Sequence, residues 1–389
     1  MRKLKIVFFT GSRAEYGMIR PFIKFFQKDL RFETYLIVSG SHLEKKHGNT
    51  ISEINKDKIK NVKKIFVESN TNTLNETCKY FNILQRKINN FLNKNKVDLF
   101  FLFSDRFETM SVAITAYLNK IPIIHYEGGD KTEGGTLDDN IRHSITKLSH
   151  IHLTSNKNSF NRLVKLGEEK WRIINVGYSP FYNLDKKKLL SKEEVIKKFK
   201  IDINKKIILF TIHPLPLNIK LTKKEIHETL KTIKLLKEKK FQIIATYPNF
   251  DPGYKIILNE LEKMKKKKNF TLTPSLGTKN YHSLLNYIGS NKMGICFGNS
   301  SGGIKEPTFF NCNSLNIGSR QRNRVKPSNV IDIKKINSKF IYKMIQKSLI
   351  YKNKKKPNPY SLEISLKSLK AKIIKIIKKK EFNLKKCTY

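Results

Sequence analysis

Short runs of hydrophobic residues alternate with longer amphipathic stretches along most of the chain. The first series of strand-like runs consists of Lys5–Phe9, Phe32–Val38, Val97–Phe103, Ile121–Tyr126, His150–Thr154 and Ile173–Val176. The second series consists of Ile207–Thr211, Gln242–Thr246, Thr271–Thr273, Met293–Phe297 and Ser314–Ile317. Alternating strands and helices form parallel sheets that helices cover on both faces, so the pattern predicts an α/β fold. Two series predict two Rossmann-like, doubly wound domains that face each other.

The expected boundaries follow this division. The first domain spans residues 1–180 and the second spans residues 181–355. A turn with Gly, Pro and Asn precedes a lysine-rich helix start, which places the linker near Tyr178–Ser191. Residues 356–389 form a basic amphipathic tail, whose apolar face carries Leu362, Leu366, Leu369, Ile373 and Ile376. Such a helix can lie on a membrane surface, but packing against its own domain is the more usual arrangement and the one we expect.

The charge balance is strongly basic. The 389 residues include 78 Lys+Arg and 32 Asp+Glu, which gives a formal net charge of +46. Such a balance can indicate binding to nucleic acid, membranes or other polyanions. Here the lysines are spread along the chain and arginines are few, so we expect a solvated basic surface, with attraction of acidic nucleotides or anionic membranes as the alternative. Hydrophobic residues make up 39% of the chain, enough for folded cores.

Cysteine usage and hydropathy point to the cytoplasm. The four cysteines, Cys78, Cys296, Cys312 and Cys387, are far apart, which is typical of a reducing compartment rather than of disulfides or a zinc site. No apolar run approaches the roughly 20 residues of a membrane-spanning helix. The start of the chain reads as a first buried strand, because charged residues follow its short apolar run at once.

Two candidate motifs follow strands of the first series. The turn Gly11–Gly17 lies between the first strand and a helix, where backbone N–H groups can bind phosphate and Arg13 can add a bidentate contact. The alternative is an ordinary tight turn. Asp105 follows the very apolar run Val97–Phe103 and is either a helix cap or a site residue.

The densest motif is acidic and lies near the middle of the first domain. Glu127 follows a strand and precedes two glycines, while Asp138 and Asp139 stand just ahead of Arg142 and His143 on the next helix. Acids beside an arginine and a histidine at one sheet edge suit proton transfer next to a phosphate, with capping and salt bridging as the alternative. The histidines 143, 150 and 152 lie on different elements, so we expect no metal site.

Two motifs of the second series suit phosphate binding. His213 ends a strand just before a proline. The stretch Gly298–Glu306 lies between a strand and a helix, and its small residues let the backbone approach a phosphate. Ser300 and Ser301 add hydroxyl donors, and Glu306 is placed to accept hydrogen bonds from ribose hydroxyls. We therefore expect this domain to bind the nucleotide.

These motifs, in this order, resemble the hydrolysing nucleotide-sugar 2-epimerases, bacterial enzymes that make N-acetylmannosamine-type sugars for sialic and legionaminic acids. The resemblance extends from about Ile6 to Val325. It also rests on the shorter stretches Lys147–Leu153, His213-Pro214, Tyr247–Asn249 and Gly318–Gln321. It implies two Rossmann-like domains with the active site in the cleft between them, as in the glycosyltransferase-B class. It further implies no metal, no redox cofactor and a plausible homodimer.

The resemblance also implies roles for individual residues. It makes Asp105, Glu127 and Asp138 the catalytic carboxylates and adds His213, which contacts the nucleotide phosphates. The implied nucleotide-binding residues are Arg13, Arg142, His143, Ser300, Ser301, Gly302 and Glu306, the last as the ribose ligand. The implied reaction converts a UDP- or GDP-linked N-acetylhexosamine, first of all UDP-N-acetylglucosamine, to the free manno-configured sugar through a glycal.

Three departures from the family pattern concern the sugar. Ser104 replaces the more usual glycine before the aspartate, Lys131–Leu137 is about two residues longer, and Leu215–Asn218 replaces a threonine-rich stretch. They leave open whether the sugar is plain N-acetylglucosamine or a 2,4-diacetamido-2,4,6-trideoxyhexose, and the sequence does not choose between UDP and GDP.

Rival readings make different predictions. A glycosyltransferase of the same architecture would need no acidic cluster around C2, and a non-hydrolysing epimerase would release an intact nucleotide sugar. A basic protein that binds nucleic acid or membranes would account for the +46 charge but not for the ordered motifs.

Overall fold

Each series of hydrophobic runs forms one parallel β-sheet. The computed structural model describes residues 2–44, 50–68, 73–132, 137–215, 218–237, 241–249, 251–265, 269–351 and 357–388. The chain divides into two units, one formed by Met1–Leu184 with Pro359–Tyr389 and the other by Asp185–Asn358.

The sheet of the first unit has seven strands. They are β1 (Leu4–Thr10), β2 (Phe32–Val38), β3 (Asn61–Lys64), β4 (Leu99–Phe103), β5 (Ile123–Tyr126), β6 (Ile151–Thr154) and β7 (Ile173–Asn175). The spatial order is β3-β2-β1-β4-β5-β6-β7, and every pair is parallel. The central strands are apolar on both faces because helices cover both, as for Phe8, Phe101 and Ile124, which are fully buried.

Among the described residues, six helices connect these strands. They are α1 (Arg13–Phe26), α2 (Ile51–Lys56), α3 (Leu74–Lys94), α4 (Phe107–Leu118), α5 (Leu137–Leu148) and α6 (Lys157–Lys165). The sequence sets their starts locally. Ser12 caps α1, for example, and Thr73 with Glu76 forms a capping box at α3. The buried faces of α3, α4 and α5 pack on the sheet through Leu84, Val112 and Ile145.

The second unit repeats this plan with six strands. They are β8 (Lys206–Thr211), β9 (Phe241–Thr246), β10 (Phe270–Thr273), β11 (Gly294–Gly298), β12 (Ser314–Ile317) and β13 (Val330–Ile333), in the order β10-β9-β8-β11-β12-β13. Its helices are α7 (Lys192–Phe199), α8 (Ile219–Lys237), α9 (Tyr254–Lys265), α10 (Thr278–Asn291), α11 (Gly302–Lys305) and α12 (Ser338–Ile350). The predicted α/β class with two doubly wound parallel sheets is confirmed.

The end of the chain packs on the first unit. In helix α13 (Leu366–Ile377), Leu369, Ile373 and Ile376 are buried. Farther on, the buried guanidinium of Arg172 donates hydrogen bonds to the carbonyls of Glu381, Phe382 and Leu384 at 2.8–3.0 Å. Residues 359–389, within the stretch predicted as a tail, are grouped with the first unit. Across the described ranges, no helix combines the length and hydrophobicity needed to span a membrane.

Candidate active site

The sheet order of the first unit creates a switch point between β1 and β4. Their chain connections leave in opposite directions, so the loops after the two strands separate and open a crevice at their carboxyl ends. The structure brings three predicted motifs to this edge: Arg13 after β1, Asp105 after β4 and Glu127 after β5.

The backbone bends sharply at two of these strand ends. Ser104 has φ 62° and Glu127 has φ 67°, both left-handed and unusual for residues other than glycine. Each still continues the ladder, because Ser104 N donates to Tyr126 O at 2.9 Å and Glu127 N donates to Leu153 O at 2.8 Å. Strained backbone of this kind persists where surrounding structure holds it, often at functional sites.

Arg142 holds the Asp105 carboxylate. Its guanidinium is 1% exposed, and it forms a salt bridge with Asp105 and another with Asp139 at 2.7 Å. It also donates to the carbonyl of Asp130 at 3.1 Å. The Asp105 side chain stays 17% exposed, so a buried cation orients a carboxylate that solvent can still reach. The structure thus places Arg142, predicted as a nucleotide contact, between two acids.

Asp139 is the structural partner in this group. Its Oδ1 accepts hydrogen bonds from Thr132 N at 2.9 Å and Thr132 Oγ1 at 2.7 Å, and it is buried. Asp138, the predicted catalytic acid, lies beside it in the first turn of α5 and is half-buried. The two neighbouring acids therefore have different environments.

His125, on β5, contacts the same strand ends. It is fully buried, with Nε2 2.8 Å from Ser104 O and Nδ1 3.2 Å from Thr146 Oγ1. Burial lowers the pKa of His125 to about 3, so the ring is neutral at physiological pH. It joins β5 to the turn before Asp105 and to α5, and acts as a structural link.

His143 lies half-buried on α5, next to the Asp105 group. Burial, and then the adjacent Arg142 guanidinium, lower the pKa of His143. His152 lies elsewhere, paired with Glu168 at 2.8 Å, and both side chains are fully buried. The histidines 143, 150 and 152 are thus on separate elements, and in the described part of the chain no group of three or more potential ligands could hold a metal ion.

The second unit has its own switch point, between β8 and β11. His213 after β8 and Asn299 after β11 form a reciprocal pair: His213 N donates to Asn299 Oδ1 at 2.7 Å, and Asn299 Nδ2 donates to His213 O at 2.9 Å. Asn249 N donates to His213 Nδ1 at 2.9 Å. Since Nδ1 accepts a hydrogen bond, the proton of the neutral ring is on Nε2, which makes Nε2–H the donor available for an anion.

The glycine-rich stretch begins at the same place. Gly298 has φ 142°, and a Cβ there would lie 1.7 Å from Thr211 O, so only glycine permits this approach of β11 to β8. Ser300, Ser301 and Gly302 follow, partly exposed, at the start of α11. The structure brings these residues and His213 together at one sheet edge.

Glu306, the predicted ribose ligand, is oriented by a residue that the sequence patterns did not indicate. His282 on α10 has Nε2 2.7 Å from Glu306 Oε2. The Glu306 side chain is 14% exposed. In the first unit the patterns likewise missed Glu15, Glu108 and Thr109, which pack beneath the turn after β1. The available signal in the sequence was Glu15, an acid two residues after Arg13. It contacts Thr109 near the start of α4.

His213 should act as a neutral donor. Burial, and then the nearby Arg320 charge, lower the pKa of His213 to about 3, so we expect its ring to stay unprotonated from pH 5 to 8. Imidazole NMR signals followed over that range should show no titration of His213. His213→Ala should weaken binding of a nucleoside diphosphate, measured by calorimetry with UDP and with GDP as probes, by about 10-fold, the value of one good hydrogen bond to a charged group. Titration of the ring near pH 6.5 would contradict this assignment.

Comparisons with known proteins identify the fold and the family. The fold is that of the two-domain, glycosyltransferase-B-like α/β enzymes. The crystal structure of UDP-GlcNAc 2-epimerase from Neisseria meningitidis bound to UDP-GlcNAc matches with a TM-score of 0.77 at 19% sequence identity, covering 96% of this chain and 100% of that one.

Sequence matches define the family more narrowly. A family model described as UDP-N-acetylglucosamine 2-epimerase matches residues 24–378. The chain is 34% identical over 335 residues to the Campylobacter jejuni GDP/UDP-N,N'-diacetylbacillosamine 2-epimerase (hydrolyzing), with 85% of each chain covered. It is 32% identical over 329 residues to the Escherichia coli polysialic acid biosynthesis protein P7, covering 85% of this chain and 82% of that protein. The chain therefore belongs to the UDP-N-acetylglucosamine 2-epimerase family and is a nucleotide-sugar 2-epimerase, which confirms the family predicted from the motifs.

Proposed function

We propose that this enzyme is a hydrolysing 2-epimerase that converts a UDP- or GDP-linked N-acetylhexosamine to the free manno-configured sugar and the nucleoside diphosphate. The observation that carries the proposal is the pair of acids at adjacent strand ends, Asp105 and Glu127, with Asp105 oriented by buried Arg142. Inversion at C2 requires a proton to leave one face and another to arrive on the opposite face. At least two positioned acid–base groups are therefore needed.

The order of bond changes follows from the acidity of the sugar. The C2 proton is not next to a carbonyl, so departure of the nucleoside diphosphate leads and builds positive charge at C1. One carboxylate then removes the C2 proton, which gives the glycal. Water adds at C1 while C2 receives a proton from the opposite face. Asp105, Glu127 and Asp138 are the groups we propose for these transfers.

The leaving group needs charge stabilisation as it departs. In the second unit, the Nε2–H of His213 and the small residues Ser300–Gly302 are the proposed phosphate donors, with Glu306 accepting hydrogen bonds from ribose. In the first unit, Arg13 is half-buried at the start of α1 and is the proposed phosphate cation. We also propose that Arg142 and His143 contact the nucleotide. For Arg142, the main role that we propose is its contact with Asp105.

Two sugars are candidates. UDP-N-acetylglucosamine is favoured by the family pattern. The branch that carries 2,4-diacetamido-2,4,6-trideoxyhexose is favoured by the 34% identity to the Campylobacter jejuni enzyme. Two segments that depart from the family pattern, Lys131–Leu137 and Leu215–Asn218, are where we expect the sugar substituents to be read. Residues 133–136 and 216–217 of these segments lie outside the described residues.

A substrate panel tests the proposal. The protein is incubated with UDP- and GDP-linked N-acetylglucosamine, N-acetylgalactosamine and diacetylbacillosamine, and NMR identifies the products. We expect free nucleoside diphosphate and one free manno-configured sugar in equal amounts, with no added metal or redox cofactor. An intact epimerised nucleotide sugar would favour a non-hydrolysing epimerase. Dependence on an added sugar acceptor would favour a glycosyltransferase.

Location and assembly are part of the same proposal. We propose that the enzyme works in the cytoplasm, where thiols stay reduced, since its four cysteines lie far apart along the sequence with no close-spaced pairs. We also propose a homodimer, as the family resemblance implies. Sedimentation of the purified protein tests the second point.

A further inference from the structure

A buried carboxyl group beneath the proposed phosphate turn has no role in the scheme above. Glu15, in the first turn of α1, is 2% exposed. Its Oε2 accepts a hydrogen bond from Gly11 N at 2.7 Å, and its Oε1 lies 3.0 Å from Thr109 Oγ1 on α4. One side chain therefore connects the turn after β1, which carries Arg13, to the helix that follows Asp105.

A second carboxyl group shares this small space. Glu108 is 5% exposed and faces Arg106, whose guanidinium donates to both its oxygens at 3.1 Å. A Cβ built on Gly11 would lie 3.3 Å from Glu15 Oε2 and 3.5 Å from Glu108 Cβ. The turn, Glu15 and Glu108 are thus close-packed, with little room for water.

The surrounding charges favour a neutral Glu15. The charged and titratable groups that act on it are Glu108 on α4, Arg106 just before α4 and Tyr80 on α3. Burial, and then the Glu108 charge, raise the pKa of Glu15 to about 7, while Arg106 opposes the shift. Loss of hydration on burial, with repulsion from the Glu108 carboxylate added to it, is the physical reason that Glu15 keeps its proton.

The hydrogen bonds fit the neutral acid without any movement. A protonated Oε1 donates to Thr109 Oγ1, while Oε2 still accepts from Gly11 N–H. The ionised form also accepts from both partners, but it places a second negative charge beside Glu108. Ionisation therefore keeps both hydrogen bonds but buries a second negative charge beside Glu108, and this repulsion favours displacement of the Glu15 side chain.

We propose that Glu15 is a positioning residue whose neutral carboxyl fastens the turn after β1 to α4, holding Arg13 and Asp105 in register, and that its ionisation loosens this connection. The inference rests on the proposed function, because register between a phosphate ligand and a catalytic acid matters only if both act on one substrate. It makes activity depend on a proton carried by a group that never touches the substrate.

Glu15→Gln removes the titrating proton but keeps both hydrogen bonds, since a neutral amide can donate to Thr109 and accept from Gly11. Over pH 5.5–9, wild-type kcat/KM should fall on the alkaline side with a midpoint near the pKa of about 7. Glu15→Gln should stay within about 3-fold of wild type at pH 6 and lack this alkaline limb. Glu15→Ala should lose about 10-fold or more throughout, because small misplacements of reacting groups are costly. The control Glu33→Gln, at a side chain that is 40% exposed, should follow wild type.

Thermal unfolding provides a readout that does not need turnover. The folded protein keeps a proton on Glu15 above the unfolded pKa of 4.5, so its stability falls as pH rises from about 4.5 to about 7. Glu15→Gln should therefore raise Tm by at least about 2 °C at pH 8.5 and leave it unchanged at pH 5. The Tm prediction does not depend on turnover. If every nucleotide sugar failed as a substrate, that result would contradict the proposed function but not the role of Glu15. A flat wild-type profile, an unchanged alkaline limb in Glu15→Gln, or an equal Tm difference at both pH values would overturn the proposal.

Discussion

Replacing Asp105 with asparagine is expected to lower kcat by at least about 100-fold, with KM within a few-fold of wild type. Asparagine keeps the shape and still offers Arg142 an oxygen acceptor, but it cannot take up or release a proton. Positioned acid–base groups contribute roughly 10²–10⁴-fold to a rate. Initial rates of nucleoside diphosphate release under saturating nucleotide sugar measure the change.

A matched control exists at the other end of the same strand. Asp98 comes just before β4, its side chain is 15% exposed against 17% for Asp105, and it also pairs with an arginine, Arg2. Asp98→Asn should leave kcat unchanged. If Asp105→Asn stayed within a few-fold of wild type, the proposed acid–base scheme would fail.

The largest effect on stability is expected for Arg142→Met. Methionine approximates the volume of the arginine stem but leaves Asp105 and Asp139 facing each other without a cation. Breaking a buried ion pair by removing one partner costs about 3–5 kcal/mol. At about 2–4 °C of Tm per kcal/mol for a unit of this size, the first unit should unfold about 10 °C earlier.

An exposed pair provides the comparison for Arg142. Arg31 makes two hydrogen bonds to a single acid, Asp29, at 3.0 and 2.8 Å, and its side chain is 60% exposed. Arg31→Met should change Tm little, because solvent screens surface ion pairs. Similar losses for both variants would show that burial of Arg142 is not what makes it important. Calorimetric scans of the two proteins provide the measurement.

The central part of the fold could be predicted because its signal is local. Strands buried on both faces, such as β4, are continuous apolar runs, and the helices between them have amphipathic periods. The hydrophobic pattern did not predict β3 and β13, each of which is one edge of its sheet. Their segments, Asn61–Lys64 and Val330–Ile333, carry polar or charged residues typical of strands with one open edge. Hydrophobic patterning therefore predicts the central strands of a sheet better than it predicts the strands at its edges.

The positions of the candidate residues at strand ends were predictable. Asp105, Glu127 and His213 come one or two residues after apolar strands, so the topology alone places them at sheet edges. Their supporting contacts were not predictable, because the bond between Glu15 and Thr109 spans 94 residues and that between His213 and Asn299 spans 86. The return of the chain to the first unit, through Arg172 and the carbonyl of Leu384, has no sequence signal either.

Solvent deuterium at C2 tests the central claim most directly. The enzyme is incubated with its best nucleotide sugar in deuterated water, and the sugar released in the first few per cent of reaction is examined by NMR. Elimination to a glycal followed by reprotonation predicts one deuterium at C2 of a manno-configured free sugar, released together with nucleoside diphosphate. Free sugar that retains its original hydrogen and configuration at C2 would contradict the account, because it would show simple hydrolysis without epimerisation.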